Sequence, residues 1–283
     1  MKFFILAGGY GKRALPLSLI KPKAVFPLGG VPLLRLLLKQ LQAQHGLEGF
    51  VNPHHLGEQV VQAAGPGGGI DFIFEKELSG SMVLRQALPF ISDWLLVVNG
   101  DTFLEIPLAA LLQKINAPDA DGALLLRPDP RGDYAGMHCA GDSFLDVARP
   151  GSAPGVMYAG VAVFKKRAIE KIDDMNFFVS IRRHRLHFKT VLYDGIWLDI
   201  GTPQSYLQAD HAYREYAHAR QSNSLSENVT ISPLAQVEES VLWENTQLGA
   251  NVSLSECIVT GDVTLENISR QRCIICRQGI FPL

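Results

Sequence analysis

The stretch from Phe3 to Pro27 constrains this chain more than any other. Phe3-Phe4-Ile5-Leu6-Ala7 is an unbroken apolar run. It leads directly into Gly8-Gly9-Tyr10-Gly11-Lys12-Arg13, then Pro16, Lys21-Pro22-Lys23 and Pro27. A short apolar run without alternation predicts a strand buried on both faces, as in a parallel sheet. Glycines at the C-terminal end of such a strand let backbone N–H groups approach a ligand with no Cβ in the way. Lys12, Arg13, Lys21 and Lys23 supply positive charge within a few residues. A strand, a glycine turn and cations together suit a polyanion such as a triphosphate.

Several readings of this stretch compete. Gly9-Tyr10-Gly11-Lys12-Arg13-Ala14 fits the relaxed dinucleotide fingerprint G-x-G-x-x-[GA]. That fingerprint needs a helix starting at the glycines, which Pro16 and Pro22 oppose. It also wants an acid at the tip of the second strand, where Phe50-Val51-Asn52 has none. A P-loop would need Ser or Thr after Gly11-Lys12, where Arg13 stands. A plain structural turn with solvated cations is the simplest alternative. The stretch also closely resembles the signature of nucleotidylyltransferases that activate sugar 1-phosphates: L-A-G-G-x-G-T-R-L-x-P-L-T, then P-K-P-L, then P-x-x-G-x-P-L-L. Leu6, Ala7, Gly8, Gly9, Gly11, Arg13, Pro16, Leu17, Pro22, Lys23, Pro27, Gly30, Pro32, Leu33 and Leu34 all match in one register. Lys12, Ala14, Ser18 and Ala24 depart from it.

Downstream, the pattern predicts helices over 31–44, 58–64, 82–90, 108–115 and 205–219. It predicts strands at Phe50-Val51, Ile70–Phe74, Leu95–Asn99, Ala123–Leu126 and Met157–Phe164. Alternating strands and helices imply a Rossmann-like α/β domain, with a mostly parallel sheet covered by helices on both faces. Ligands then bind at the C-terminal ends of the strands. A polar linker is expected over Arg220–Asn228. Beyond it, apolar positions recur every four to six residues from Ile231 to Val263 with small residues between. No helix period fits. The spacing suits a three-sided coil of about six residues per side, which resembles the left-handed β-helix of hexapeptide-repeat proteins. About two coils are expected before Leu265, and the tail from Glu266 is hard to read. The expected division is therefore a catalytic domain over 1–220 and a β-helix with tail over 221–283. So few coils should pack on the catalytic domain or on another subunit, making a homo-oligomer through the β-helix conceivable.

The 283 residues carry a net charge of −2 and lack a basic block, which argues against nucleic acid as a partner. No apolar stretch is long enough to span a membrane, and the N-terminal run is too short for a signal-peptide core. A cytoplasmic location is expected. Of Cys139, Cys257, Cys273 and Cys276, only the last two have ligand-like spacing, and a zinc site would want more partners. His54 and His55 read as a structural turn rather than as ligands or acid–base groups.

The resemblance implies the chemistry. An NTP and a sugar 1-phosphate give an NDP-sugar and pyrophosphate, with Mg²⁺ as cofactor; a guanylyltransferase of mannose 1-phosphate is the best single guess. The attacking oxygen belongs to an ionised phosphate, so no general base is needed; the task is positioning and charge neutralisation. Asp101, of Gly100-Asp101-Thr102, and Asp199, of Trp197-Leu198-Asp199-Ile200-Gly201-Thr202-Pro203, would hold the metal. Arg13 would grip the β- and γ-phosphates, and Lys23 the α-phosphate and the incoming sugar phosphate. Gly8, Gly9 and Gly11 would line the nucleotide, with Leu6 and Ala7 beside base or ribose. Lys12 and Lys21 are weaker candidates and read as solvated or loosely electrostatic. The substrate loops depart from the family. Ser79-Gly80-Ser81-Met82 replaces a Gly-Thr-Ala-Gly-like loop, with Gly80 as the stand-in glycine. Ala148-Arg149-Pro150 replaces Glu-Lys-Pro, leaving Arg149 for the sugar phosphate. Tyr158 precedes Ala159-Gly160 where Asn is common, and Gly160 is kept for the sugar. These departures leave a non-catalytic nucleotide-sugar sensor as the alternative, against which the intact Arg13, Lys23, Asp101 and Asp199 weigh.

Overall fold

Phe3, Phe4 and Ile5 are fully buried in the strand Lys2–Leu6, so that strand must be flanked on both edges and covered on both faces. The computed structural model, which describes residues 1–65, 68–148, 155–219 and 221–283, shows the flanking strands. Glu48–Asn52 pairs in parallel on one side and Trp94–Asn99 on the other. They belong to a nine-stranded sheet. Its order is Ile70–Phe72, Glu48–Asn52, Lys2–Leu6, Trp94–Asn99, Gly155–Lys165, Gly122–Asp129, Phe188–Leu192, Ser143–Val147 and Met137–Ala140. Most strands share one direction; Gly155–Lys165 and Ser143–Val147 run against their neighbours. Phe4, Val97, Leu124, Ala162, Phe164 and Phe188 are among the residues of its core.

The chain divides into two compact units. The first joins Met1–Gly9, Leu37–Gly100 and Leu104–Trp197, and holds the whole nine-stranded sheet. The second joins Tyr10–Leu36, Asp101–Phe103 and Leu198–Leu283. Within the second, Lys12–Ala14 is a short 3-10 turn and Leu17–Ile20 a separate short helix, with Pro16 between them. The continuous helix of a dinucleotide-binding turn is absent from this segment, as the prolines predict.

The C-terminal part is a β-helix. Ser224 pairs with Val241, Val241 with Ile258, and Ile258 with Ile274, so each coil takes 17, 17 and 16 residues in turn. Two further parallel ladders complete the three sides. Leu242, Leu248, Val252, Leu254, Cys257, Val259 and Ile275 fill the interior. Asn228, Asn245 and Asp262 stand one coil apart at corners with positive φ, where short polar side chains tolerate the left-handed conformation. They are stitched by hydrogen bonds of 3.2 and 2.8 Å.

Several expectations need correction. The tail, hard to read in the sequence, continues the ladders through Ile268–Gln271 and Cys273–Cys276, which adds a coil to the two expected before Leu265. The last strand, Gly279–Pro282, then turns back antiparallel on Cys273–Cys276. The linker is shorter than Arg220–Asn228, because Ser224–Leu225 is already the first β-helix strand; Arg220 itself lies outside the described residues. The helix expected over 31–44 begins only at Leu33. Gly29 and Gly30, both with positive φ, turn Pro27–Leu28 back on Val31–Pro32 as a hairpin. From Lys39 to Gln44 the helix widens to π geometry. The segment Gly80–Phe90 is wound as 3-10 helix, and Pro89 lacks the N–H that an α-helical ladder would use there. Among the described residues no helix is long and apolar enough to cross a membrane.

Candidate active site

The second unit gathers Gly11, Arg13, Lys23, Asp101 and Asp199. Each is placed by a local device. Pro22 precedes the 3-10 turn Lys23–Val25, in which Val25 N–H donates to Pro22 O at 2.8 Å and Phe26 N–H to Lys23 O at 2.9 Å. Gly11 has φ +64°, and a Cβ there would stand 2.9 Å from Ser18 Cβ and 3.2 Å from Lys23 Cγ. Glycine lets the turn lie against the lysine. The Lys23 ammonium forms an ion pair with Asp101 Oδ2. Ile200 N–H donates to Asp101 O at 3.3 Å, which ties the Asp101 backbone to the residue after Asp199.

The Gly201-Thr202-Pro203 sequence has a separate role for each residue. A Cβ on Gly201 would fall 2.7 Å from Asp199 Oδ2 and 3.1 Å from an Arg13 guanidinium nitrogen. The glycine therefore leaves room for both groups. Thr202 caps the helix Pro203–Tyr216: its Oγ1 accepts from Ser205 N–H at 3.1 Å, and Ser205 Oγ accepts from Thr202 N–H at 2.9 Å. Pro203 fills the first helical position, where no N–H is needed.

The electrostatics follow. Burial pushes the Asp199 carboxyl above the usual range, and the Asp101 charge pushes it further. The Gly201 N–H, Lys23 and Arg13 oppose the shift. A half-buried pair of carboxylates beside two cations is a site that an added divalent cation would relieve. Among the described residues no group of three or more His, Cys, Asp or Glu side chains is gathered for a metal. Two carboxylates do fit Mg²⁺, which takes one or two and fills its octahedron with water and substrate phosphate oxygens.

The remaining predicted residues belong to the first unit. Leu6 pairs with both Asn52 and Asn99 at the C-terminal edge of the sheet, and Gly100 N–H donates to Leu6 O at 2.9 Å. Ala7 is buried just beyond. A Cβ on Gly8 would lie 2.9 Å from Asn52 Oδ1, whereas one on Gly9 would meet no described atom within 4 Å. Asn52 Nδ2 donates to Glu75 Oε2 at 2.9 Å, and Glu75 Oε1 accepts from Ser79 N–H at 2.9 Å. His54 Nδ1 is 3.1 Å from Glu75 O, consistent with an anchoring role in this loop. Gly80, with φ +59°, presses on Met175, where a Cβ would come within 2.4 Å of the carbonyl oxygen. Gly160, with φ +92°, lies beside Asn99. Tyr158 packs edge-on against Phe177 and Phe178, so it is a core residue and no stand-in for a polar sugar ligand. Arg149 lies outside the described residues.

Lys21 corrects the sequence reading. It is not solvated: its side chain is 13% exposed and its ammonium pairs with Glu244 Oε1 at 2.6 Å. It also lies 5.4 Å from the centre of the Trp243 ring. Lys12, by contrast, is exposed. No motif in the sequence announces Glu244 or Trp243, which belong to a corner of the β-helix.

Residues 3–175 match the MobA-like NTP transferase domain. Over 273 residues the chain is 26% identical to a Sulfolobus acidocaldarius protein provisionally assigned as a mannose-1-phosphate guanyltransferase; the match covers 90% of this chain and 74% of that one. Over 227 residues it is 29% identical to the N-acetylmuramate alpha-1-phosphate uridylyltransferase of Neisseria meningitidis, covering 71% of this chain and 94% of the relative. Among solved structures, HddC from Yersinia pseudotuberculosis superposes with a TM-score of 0.65 over 75% of this chain and 99% of its own, at 22% identity, a likeness of fold.

Proposed function

Since the chain belongs to the family of MobA-like NTP transferases, we propose that it transfers a nucleotidyl group from an NTP to a sugar 1-phosphate. A phosphate oxygen of the sugar attacks the α-phosphorus, the bond to the β-phosphate oxygen breaks, and pyrophosphate leaves. The observation that carries this reading is the gathering of Arg13, Lys23, Asp101 and Asp199, two cations and two carboxylates from distant parts of the sequence.

In this reading Arg13 binds the β- and γ-phosphates through its planar fork and stabilises the departing charge. Lys23 neutralises the α-phosphate and the incoming phosphate. Gly8, Gly9 and Gly11 offer backbone donors to the nucleotide, with Leu6, Ala7 and Gly80 beside base and ribose. Arg149 and Gly160 serve the sugar phosphate. Asp101 and Asp199 would hold Mg²⁺, which when bound supplies charge neutralisation to the phosphates. The catalytic part would span 1–220 and the β-helix 221–283, in a cytoplasmic enzyme that self-associates through the β-helix. The Sulfolobus relative, matched over 90% of this chain, supports mannose 1-phosphate and GTP as the first pair to try. The Neisseria relative makes UTP with N-acetylmuramate 1-phosphate the second.

The test is pyrophosphate release with each NTP against a panel of sugar 1-phosphates, with and without Mg²⁺. Metal-dependent release with one NTP–sugar pair is expected. Silence across the panel, with tight binding of an NDP-sugar, would replace the enzyme by a sensor.

A further inference from the structure

Resting on that reading, we propose that Glu244, on the β-helix, is a positioning residue of the transfer reaction. It holds Lys21, and through Lys21 the segment that carries Lys23. Both flanks of Lys23 are tied to the same β-helix corner. On one side Lys21 pairs with Glu244 at 2.6 Å and lies over Trp243. On the other, the Phe26 ring packs against Tyr206 and Trp243, with centroids 5.1 and 5.3 Å apart. Tyr206 Oη donates to Pro27 O and accepts from Trp243 Nε1 at 3.1 Å.

Little freedom is left between these ties. Pro22 has a fixed φ, and Ala24 and Val25 are buried. The corner is itself rigid: Trp243 is fully buried, its backbone N–H donates to Val259 O at 2.9 Å, and Thr246 Oγ1 donates to its carbonyl at 2.8 Å. Asp262 N–H donates to Glu244 O at 3.0 Å. A Cβ on Gly261 would come within 3.2 Å of Glu244 Oε1, so the glycine leaves room on the coil side for the carboxylate, whose side chain is 37% exposed. An exposed ion pair would do little here. This one is short, largely shielded on the lysine side, and two residues from a lysine placed at the reacting phosphates. The β-helix is then part of the device that sets the active-site geometry.

The experiment compares Glu244→Gln, Glu244→Asp and Lys21→Gln with a control on the same β-helix, Glu256→Gln, which removes the exposed Arg272–Glu256 pair. Glu244→Gln is expected to lower kcat roughly tenfold while KM for the NTP stays within about twofold, because misplaced groups cost the transition state more than ground-state binding. Glu244→Asp should recover much of the loss, and Glu256→Gln should leave kcat unchanged. The Lys21→Gln/Glu244→Gln double variant should be no worse than either single one. Hydrogen exchange at the Val25 and Phe26 amides should quicken in Glu244→Gln with the unfolding midpoint unmoved. Wild-type kcat in Glu244→Gln, or losses that simply add in the double variant, would overturn the proposal. If the wild-type protein releases no pyrophosphate at all, the reaction reading falls separately. The exchange measurement then decides the positioning claim alone, and unchanged exchange sinks it.

Discussion

In the first unit, strands such as Lys2–Leu6 and Trp94–Asn99 bury three and four neighbouring apolar side chains against adjacent strands of one sheet. In the second unit the β-helix strands are two to four residues long. Outside its coils, buried apolar side chains such as Leu17, Leu28, Leu33 and Ile200 are joined by single polar and aromatic contacts between residues far apart in sequence. Tyr206 Oη reaches Pro27 O across 179 positions, and Asp210 Oδ1 accepts from Gly29 N–H at 2.8 Å across 181. Asp210 is also paired with Arg214 at 3.0 Å, with both side chains almost fully buried. Arg13, Lys23, Asp101 and Asp199 sit in this second unit. Their placement therefore depends on a few long-range ties, each removable by one substitution, whereas the sheet spreads its stability over many interchangeable hydrophobes.

The largest expected effects test that contrast. Phe164 in the sheet and Trp243 in the β-helix are both fully buried, and truncation of either to Ala should cost about 3–5 kcal/mol in urea unfolding. Their local signatures should differ. Phe164→Ala should raise hydrogen exchange in Trp94–Asn99, and Trp243→Ala in Pro203–Tyr216. Identical exchange patterns in the two variants would erase the distinction. Next come Asp101→Asn and Arg13→Ala, each expected to lower kcat/KM by about 10²–10³-fold with an unchanged unfolding midpoint. A variant that keeps near-normal kcat/KM loses its assigned role.

The contrast also explains what could be read from the sequence. The sheet was legible because uninterrupted apolar runs specify buried strands, and its central strands fall where those runs are. Arg13 and Lys23 were legible as cations beside the glycine turn, their specific roles and those of Asp101 and Asp199 through the family resemblance, and the structure gathers all four in one unit. The late start of the first long helix was not legible, because Pro32 suits a helix's first turn, whereas the positive-φ pair Gly29-Gly30 just before it draws Val31–Pro32 into a hairpin. The third β-helix coil was missed because Arg270 and Arg272 hide the repeat in the tail. The signal that carries into the tail is apolar: Val241, Ile258 and Ile274 stand one coil apart on the same side. Lys21 looked solvated because its partner, Glu244, is 223 positions away, and no local pattern encodes a contact at that distance.

A smaller effect is expected at Gly201. The added methyl of Gly201→Ala would fall 2.7 Å from Asp199 Oδ2 and 3.1 Å from Arg13. The flexible guanidinium can move aside, but the Asp199 carboxylate, on the neighbouring strand end, has less room. A loss of about tenfold in kcat is expected, with a raised Mg²⁺ requirement and normal folding. Unaltered metal dependence would mean that Asp199 is not displaced, and would separate its position from its proposed function.

The smallest effect concerns pH, and it sharpens the comparison because the two units carry carboxylates shifted in opposite directions. In the first unit, hydrogen bonds from His184, Arg183 and Ser180 hold Asp173 down at about 2. In the second, burial pushes Asp210 up despite Gly29 and Arg214. A depressed carboxyl stabilises the fold above its unfolded value, near 4, and that stability is lost as pH falls toward about 2. A raised carboxyl does the reverse: its ionised form costs stability above the folded value, and the cost disappears as pH drops through it. Asp173→Asn should therefore be less stable than wild type at neutral pH, with the gap closing between pH 4 and pH 2 as the wild-type carboxylate is protonated. Urea midpoints at a series of pH values measure this directly. A gap that stays constant down to pH 2 would show that the hydrogen-bond geometry at Asp173, and not its charge, supports that end of the first unit.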